Sequence, residues 1–223
     1  MEIRFEPIIG EIAPELQVVA IEATVVNKPT PDELWALIDR AASDLREVTE
    51  LSDINKRPGI KATREAYKAC GKEPNRYRPS AEALSRRAVK GMELYRINTL
   101  VDLINLVSLQ SGYSIGGFDA GKIDGDVMTL GVGREGEPFE GIGRGEFNIA
   151  NMPVYRDGTG GVGTPTSDNE RTKLDIDTTR LLICINIYGI EMPVDDVVAF
   201  TVALLEKYAD ATDISVNMYK PNL

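Results

Sequence analysis

The stretch RLLICINIYG, residues 180–189, is the strongest β-strand signal in the chain. It is a short apolar run that ends at a glycine, a pattern typical of a buried strand. Cys184 lies in the middle of this run, and we therefore expect this cysteine in the hydrophobic core. Beyond it, the sequence predicts a helix over about 195–208 and a last strand over 214–219.

A strand followed by a helix is predicted near the N-terminus. LQVVAIEATVV, residues 16–26, is rich in β-branched residues and favours a buried strand. Thr30, Pro31 and Glu33 then supply a cap, a proline at the first helical position and a capping-box glutamate, which predicts a helix. Helical spacing gives this helix one apolar face, comprising Leu34, Leu37, Ile38, Ala41, Leu45 and Val48.

Three more helices are predicted before the chain changes character. One runs over about 61–70, and another runs from a Ser80 cap to Gly91. Asn98 is the predicted cap of the third, TLVDLINLVSLQSG, which ends at Gly112. The predicted inward-facing residues of this third helix are Leu100, Leu103, Ile104 and Val107.

After Gly112 the chain consists of short β-prone runs, such as DVMTLGV, separated by frequent glycines. Helices that are followed by strands and then by a further helix predict an α+β fold. We expect residues 1–223 to form a single domain with a mostly antiparallel or mixed, β-sandwich-like core flanked by helices.

Composition excludes several classes of chemistry. The chain of 223 residues contains no histidine, which rules out Ser/His/Asp and Cys/His triads and metal sites built on imidazole. Cys70 and Cys184 lie far apart without a CxxC spacing, so neither a disulfide framework nor a zinc site is predicted. No run of about 18 apolar residues and no secretory signal occur. We expect a cytoplasmic protein with no membrane partner, no cofactor and no metal.

The net charge of −10 is unevenly distributed along the chain. Residues 56–96 contain 12 Lys and Arg against 4 Asp and Glu, a net charge of +8. Clustered basic charge is the electrostatic signature of a nucleic-acid surface, but solvated helix faces give the same pattern. Both interpretations stand at this point, with the solvated faces favoured.

Two glycine-rich stretches imitate nucleotide-binding motifs. GVGREG, residues 131–136, fits GxGxxG, but a proline and further glycines follow it, so no helix is predicted to bind a pyrophosphate. Gly158 to Gly163 have P-loop spacing, yet Thr164 and Pro165 stand where Lys and Ser/Thr are required. Neither dinucleotide binding nor nucleotide hydrolysis is predicted.

Acidic residues in the same region could supply oxygen ligands for a hard cation, although turn capping by solvated carboxylates is the favoured interpretation. These acids are Asp157, Asp168, Glu170, Asp175 and Asp177.

GTPTSDNERT, residues 163–172, is dense in hydroxyls and charges. Such side chains bond to nearby backbone groups, which predicts a compact, internally hydrogen-bonded loop. The glycines of the preceding DGTGGVG allow close approach of a ligand, so the loop is a candidate wall of a pocket for a polar small molecule. A surface turn between two strands is the alternative.

Several of these stretches together resemble a known family, the editing domain formed by the third and fourth modules of the bacterial phenylalanyl-tRNA synthetase β chain. The resemblance spans about 76–190, here as a stand-alone protein, and implies that residues 1–75 and 191–223 pack on that core. The helix VDLINLV is similar to the family's VDxTNYV. The stretches that carry the resemblance are YRPSAEALSRR, RINTLVDLINLV, GGFDAGKIDGD and SDNERT ahead of LLICIN.

The resemblance implies recognition or hydrolysis of misacylated aminoacyl-tRNA in trans, but not aminoacylation itself. The family's glutamate that reads the tyrosyl hydroxyl corresponds to Glu170. Ile104 stands where the family has a pocket threonine, and Gly116 stands where it has a histidine. The implied substrate-binding residues are Glu170, Thr164, Thr166, Gly161, Gly163, Asn105 and Gly116, and the implied tRNA-binding residues are Arg76, Arg78, Arg86 and Arg87. The alternatives are a non-catalytic protein that binds an amino-acid-like small molecule and an interaction module without pocket chemistry.

Overall fold

The computed structural model describes residues 1–221, which form two four-stranded sheets and a layer of helices. The helices are α1 (Pro7–Ile12), α2 (Asp32–Val48), α3 (Pro58–Ala69), α4 (Ser80–Val89), α5 (Thr99–Ser111) and α6 (Val194–Ala209). The strands are β1 (Glu2–Phe5), β2 (Gln17–Thr24), β3 (Ser114–Asp119), β4 (Val127–Val132), β5 (Glu140–Gly141), β6 (Gly145–Glu146), β7 (Pro153–Arg156), β8 (Gly161–Gly163), β9 (Arg180–Ile187) and β10 (Thr212–Tyr219).

The two large sheets differ in topology. One sheet has the strand order β10-β2-β9-β3, and every neighbouring pair in it is antiparallel. The other has the order β1-β4-β7-β8, with β1 parallel to β4 and the remaining pairs antiparallel. Strands β5 and β6 form a separate two-stranded ribbon. The predicted α+β fold with a mixed, sandwich-like core is confirmed.

Strand β9 is buried on both of its faces. Leu182 and Cys184 belong to the apolar layer between the two sheets. Ile183 and Ile185 point the other way, into the apolar layer shared with α2, α5 and α6. Because successive side chains of a strand alternate between faces, a strand covered on both sides needs an unbroken apolar run. The predicted burial of Cys184 is confirmed.

The predicted helices are present, but two of the predicted caps are wrong. Helix α2 begins after Pro31, and the Thr30 hydroxyl instead donates a hydrogen bond to the Asp102 carboxylate. Helix α4 begins after Pro79, with Ser80 as its first residue. A proline occupies the N-cap position of both helices and has no side-chain acceptor, so both helices start without a side-chain cap.

The cap of α5 follows the prediction. The Asn98 side chain accepts a hydrogen bond from the backbone N–H of Val101 at 3.0 Å, and Gly112 ends the helix at a φ of 74°. This left-handed conformation is readily available only to glycine, which explains why the helix stops there.

The apolar face predicted for α2 is only partly buried. Leu34, Ile38 and Ala41 contact the core, whereas Leu37 is 39% exposed and Val48 is 82% exposed. Leu45 still packs against the apolar cluster, whereas Val48 in the last turn of the helix does not belong to it. Within residues 1–221, no helix is both long enough and apolar enough to cross a bilayer.

Truncation of Ile183 to alanine should lower the free energy of unfolding by about 2–5 kcal/mol, because a fully buried side chain leaves a cavity between the sheet and the helices. Ile190, which is 53% exposed, is the matched control, and Ile190→Ala should cost less than about 0.5 kcal/mol. Urea denaturation of both variants measures the difference. Equal losses would contradict the central position of β9.

Candidate functional site

A cavity of about 530 Å³ lies between α4, α5, β3 and the loop that follows β8. Its walls are mainly apolar, and its polar groups are concentrated on the loop side. The apolar lining includes Leu84, Val101, Ile104, Ile115, Ile142 and Leu174. A mostly apolar cavity of this size with a few polar groups is typical of a small-ligand site.

The loop wall is built by hydroxyl-to-backbone hydrogen bonds. The Thr164 Oγ1 atom accepts hydrogen bonds from the backbone N–H of Thr166 at 3.2 Å and of Ser167 at 3.1 Å. The Thr166 hydroxyl lies 2.8 Å from the buried Tyr67 hydroxyl. The prediction of a compact, internally bonded loop is confirmed. Both threonines line the cavity, but their hydroxyls hold the loop together and are already engaged.

Asp168 is a cavity residue that sequence reasoning treated only as a turn or metal acid. Its Oδ2 atom accepts a hydrogen bond from the backbone N–H of Gly117 at 3.2 Å. Burial raises the pKa of its carboxyl to about 7, and the Gly117 hydrogen bond opposes this rise only in part. No sequence pattern distinguished this acid from its neighbours, because the cause is the apolar wall that the fold places around it.

Asn105 supplies a free amide to the cavity. It projects from α5 and lines both the cavity and the groove described below. Its side chain forms no hydrogen bond with any residue in 1–221, while the Asn98 amide on the same helix is used as a cap. The Asn105 donors and acceptor are therefore available to a ligand.

Gly116 lies outside the cavity, and its neighbour Gly117 lines the cavity instead. Gly116 pairs with Cys184 and faces the layer between the sheets, where a Cβ would lie 2.5 Å from the Phe118 ring. Gly117 faces the cavity, where a Cβ would lie 2.6 Å from the Ile104 side chain. A shift of one residue along a strand exchanges its faces, so the implied position moves from Gly116 to Gly117.

The remaining loop residues do not converge on this cavity. Gly161 lines a second depression of about 790 Å³ on the other side of the loop, beside Phe139 and Arg171. Gly163 is not one of the cavity residues, although a Cβ on it would lie 2.7 Å from Asp168 Oδ1. Glu170 forms an ion pair with Lys173, and Lys173 lines the cavity.

A groove of about 710 Å³ adjoins the cavity and contains all four of the implied tRNA-binding arginines. It also contains Lys90 and Arg144. Three aromatic side chains lie among these cations, namely Tyr77, Tyr95 and Phe147. The cavity and the groove share Ser80, Leu84, Asn105 and Thr166.

The groove arginines differ in their electrostatic partners. Arg78 and Arg86 approach the buried Glu82 carboxylate at 3.7 and 3.9 Å, beside its close pair with Arg64. Arg87 instead stacks over the Tyr95 ring, with the guanidinium carbon 4.2 Å from its centroid. Arg76 lies 5.6 Å from the centroid of its neighbouring tyrosine, Tyr77. Charge is therefore most available at Arg76 and Arg87.

Three of the five acids considered as cation ligands pair with basic side chains, namely Asp157, Glu170 and Asp175. Asp157 accepts two hydrogen bonds from Arg171, both at 2.9 Å, and Asp175 pairs with Lys122. These pairs lower the pKa of both carboxyls, although burial opposes the shift. Within residues 1–221 no cluster of three or more potential ligands could hold a metal ion.

The fold and the site define an α+β domain whose apolar cavity opens into a basic, aromatic groove. The family model for the B3/4 domain matches residues 62–190, more than half of the chain. The chain therefore belongs to the B3/4 domain family, of the phenylalanyl-tRNA synthetase β-subunit type.

Comparison with solved structures gives a remote match. An N-terminal fragment of the phenylalanyl-tRNA synthetase β subunit from Pyrococcus horikoshii aligns with a TM-score of 0.49 and 13% sequence identity. The alignment covers 100% of this chain and 55% of that chain, so this chain spans about half of its length. No curated protein matches the chain.

Asp168→Asn should stabilise the protein at alkaline pH. A buried carboxyl with a pKa of about 7 keeps its proton longer in the folded state, so folding loses stability as pH rises from about 4 to 7. The variant should therefore gain up to about 4 kcal/mol over the wild type at pH 8.5 and less than half of that at pH 5. Urea denaturation at both pH values measures this, with the exposed Asp177→Asn as the control. A gain that is the same at both pH values would contradict the raised pKa.

Proposed function

We propose that this domain binds the aminoacylated 3′ end of a tRNA and recognises or hydrolyses a misacylated ester in trans. The RNA would lie along the groove, and the aminoacyl group would enter the cavity. The observation that carries this proposal is the shared border of Ser80, Leu84, Asn105 and Thr166 between groove and cavity. A ligand that extends through both must join a polyanion to a small, largely apolar group.

The chemistry of the groove supports a single-stranded RNA end. Single strands are bound by cations that follow the phosphates and by aromatic rings on which bases stack. Arg76 lies by Tyr77, Arg87 by Tyr95, and Arg144 by Phe147, so each of these rings has a guanidinium beside it.

The walls of the cavity support an aminoacyl group with an apolar side chain. Ile104 stands where the family has a pocket threonine, and it contacts the bare face of Gly117. The Thr164 hydroxyl is engaged within the loop, and the Thr166 hydroxyl is engaged by Tyr67 of α3. An amino acid with a polar side chain would leave its hydrogen-bonding groups unpaired against these walls, which is costly.

Glu170 enters this proposal as one half of an ion pair on the cavity rim. Its partner Lys173 lines the cavity, so a ligand meets the Lys173 side chain first. We propose that Glu170 orients the amino acid through Lys173. A substrate hydroxyl can reach the glutamate only by displacing this lysine.

The rival function is binding of a free amino-acid-like molecule without turnover. The engagement of Arg78 and Arg86 with Glu82 favours it, because these two guanidiniums are partly neutralised within the protein. Thermal stabilisation by free amino acids, independent of salt and of added tRNA, would select this rival.

The deciding experiment is single-turnover deacylation of a panel of correctly and incorrectly charged tRNAs, with the wild type and Glu170→Ala. We expect rapid hydrolysis of one misacylated species, and we expect Glu170→Ala to hydrolyse that species with reduced selectivity. If no species is hydrolysed faster than its uncatalysed rate, the deacylase function is ruled out. Salt-sensitive tRNA binding would then leave recognition as the surviving half of the proposal.

Loss of a groove arginine should weaken tRNA binding and its dependence on salt. Each phosphate contact removed should lower the slope of log affinity against log salt by about 0.7 for a single strand. Arg76→Ala and Arg87→Ala should each show this, whereas Arg40→Ala, an exposed arginine of α2 outside the groove, should not. Filter binding over a salt series measures the slopes. The same slope for all three variants would place the RNA elsewhere.

A further inference from the structure

We propose that Asp168 is the general base of the cavity, an inference that rests on the ester hydrolysis proposed above. Asp168 lies on the loop wall of the cavity, opposite the helical side that carries Asn105. Neither the family resemblance nor the loop motif assigned it this role. The proposal follows from the position of its two carboxylate oxygens.

One carboxylate oxygen of Asp168 accepts a hydrogen bond, and the other has no hydrogen-bond partner within residues 1–221. Oδ2 accepts the Gly117 N–H hydrogen bond, which fixes the orientation of the carboxylate. Oδ1 accepts no hydrogen bond from residues 1–221. It is also not one of the fully buried side-chain atoms that lack a hydrogen-bond partner. It packs over the bare Cα of Gly163, where a Cβ would lie 2.7 Å from it. A glycine at this position therefore leaves room for the carboxylate.

In the described part of the chain, residues 1–221, no basic side chain forms an ion pair with Asp168. The cavity contains one lysine, Lys173, which pairs with Glu170. The other cavity carboxylate, Asp175, pairs with Lys122. On the side of the sheets, the neighbouring titratable groups are the buried Cys184 thiol and the Tyr155 hydroxyl. A carboxylate among these groups is free to take up a proton.

The reaction balances with water as the only co-reactant. The Asp168 carboxylate takes a proton from a water molecule as the water oxygen attacks the ester carbonyl carbon. The tetrahedral intermediate then collapses, the bond from carbon to the ribose oxygen breaks, and the Asp168 carboxylic acid returns the proton to that oxygen. The products are a free amino acid and an uncharged tRNA end. The unpartnered Asn105 amide lines the same cavity and can donate to the carbonyl oxygen, where negative charge develops.

The protonation equilibrium of Asp168 suits this task. Burial raises the pKa of its carboxyl to about 7, and a general base is most efficient when its pKa lies near the operating pH. The charged form, which accepts the proton, predominates above that pH. The rate should therefore rise through neutrality and level off, whereas attack by free hydroxide gives a continuous rise.

A second role for the same carboxylate is binding of the substrate's ammonium group. The two roles are separated by an N-acetylated substrate, which has the ester but no ammonium. Loss of a general base slows hydrolysis of both substrates. Loss of an ammonium-binding carboxylate affects only the substrate with the free amine.

The test is single-turnover hydrolysis from pH 5.5 to 8.5 of the charged tRNA that the wild type hydrolyses fastest, and of its N-acetylated form. Asp168→Asn is nearly isosteric and keeps an acceptor for Gly117. We expect it to lower the rate at pH 8 by about 10²–10³-fold for both substrates, to remove the inflection near neutral pH, and to leave tRNA affinity within about threefold. The exposed Glu135→Gln, outside the cavity and the groove, should retain the wild-type profile.

Three results would overturn this assignment. The first is a wild-type rate and inflection in Asp168→Asn, which would leave the deacylase function standing without this base. The second is lost affinity for the free amine combined with an unchanged rate on the N-acetylated substrate, which would assign Asp168 to ammonium binding. The third is salt-sensitive tRNA binding by a wild type that hydrolyses nothing at any pH, which would remove the base role and retain recognition.

Discussion

The burial of β9 on both faces is the constraint on which the rest of the structure depends. A strand whose two faces are both apolar is stable only between two layers, because either face left in water would lose the free energy of apolar burial. The sheet of β1, β4, β7 and β8 covers one face, and α2, α5 and α6 cover the other. The three-layer order of sheet, sheet and helices follows from this one strand.

The cavity lies where this layered packing ends. Strand β3 is the edge of the central sheet, and α4 and α5 lie against it. At Gly117 the strand has no side chain on its helical face, so Ile104 and Leu174 meet over bare backbone. The loop after β8 crosses this edge, and Phe118 pairs with Lys173 there. The polar loop therefore faces an apolar wall across the cavity.

Much of the fold was predictable from sequence, because it depends on local patterns. The β9 run, the Asn98 cap and the Gly112 stop each contain their structural cause within a few residues. The site was less predictable, because its causes are long-range. The glycine stretch and the threonines are adjacent in sequence, yet Gly161 and Thr164 lie on opposite sides of the loop. The raised pKa of Asp168 depends on walls supplied by other elements, and no local pattern encodes it.

Apolar walls and a carboxyl with a raised pKa are two consequences of the same packing. Residues such as Ile104 and Leu174 exclude water, which favours an apolar ligand and also destabilises the charged form of Asp168. An ion pair with a nearby lysine would offset the destabilisation of the charged carboxylate. It would also lower the pKa of the carboxyl and so keep Asp168 in its charged, weakly basic form. Lys173, the lysine among the described cavity residues, pairs with Glu170 instead. Because Lys173 pairs with Glu170 rather than with Asp168, the Asp168 carboxyl keeps its raised pKa.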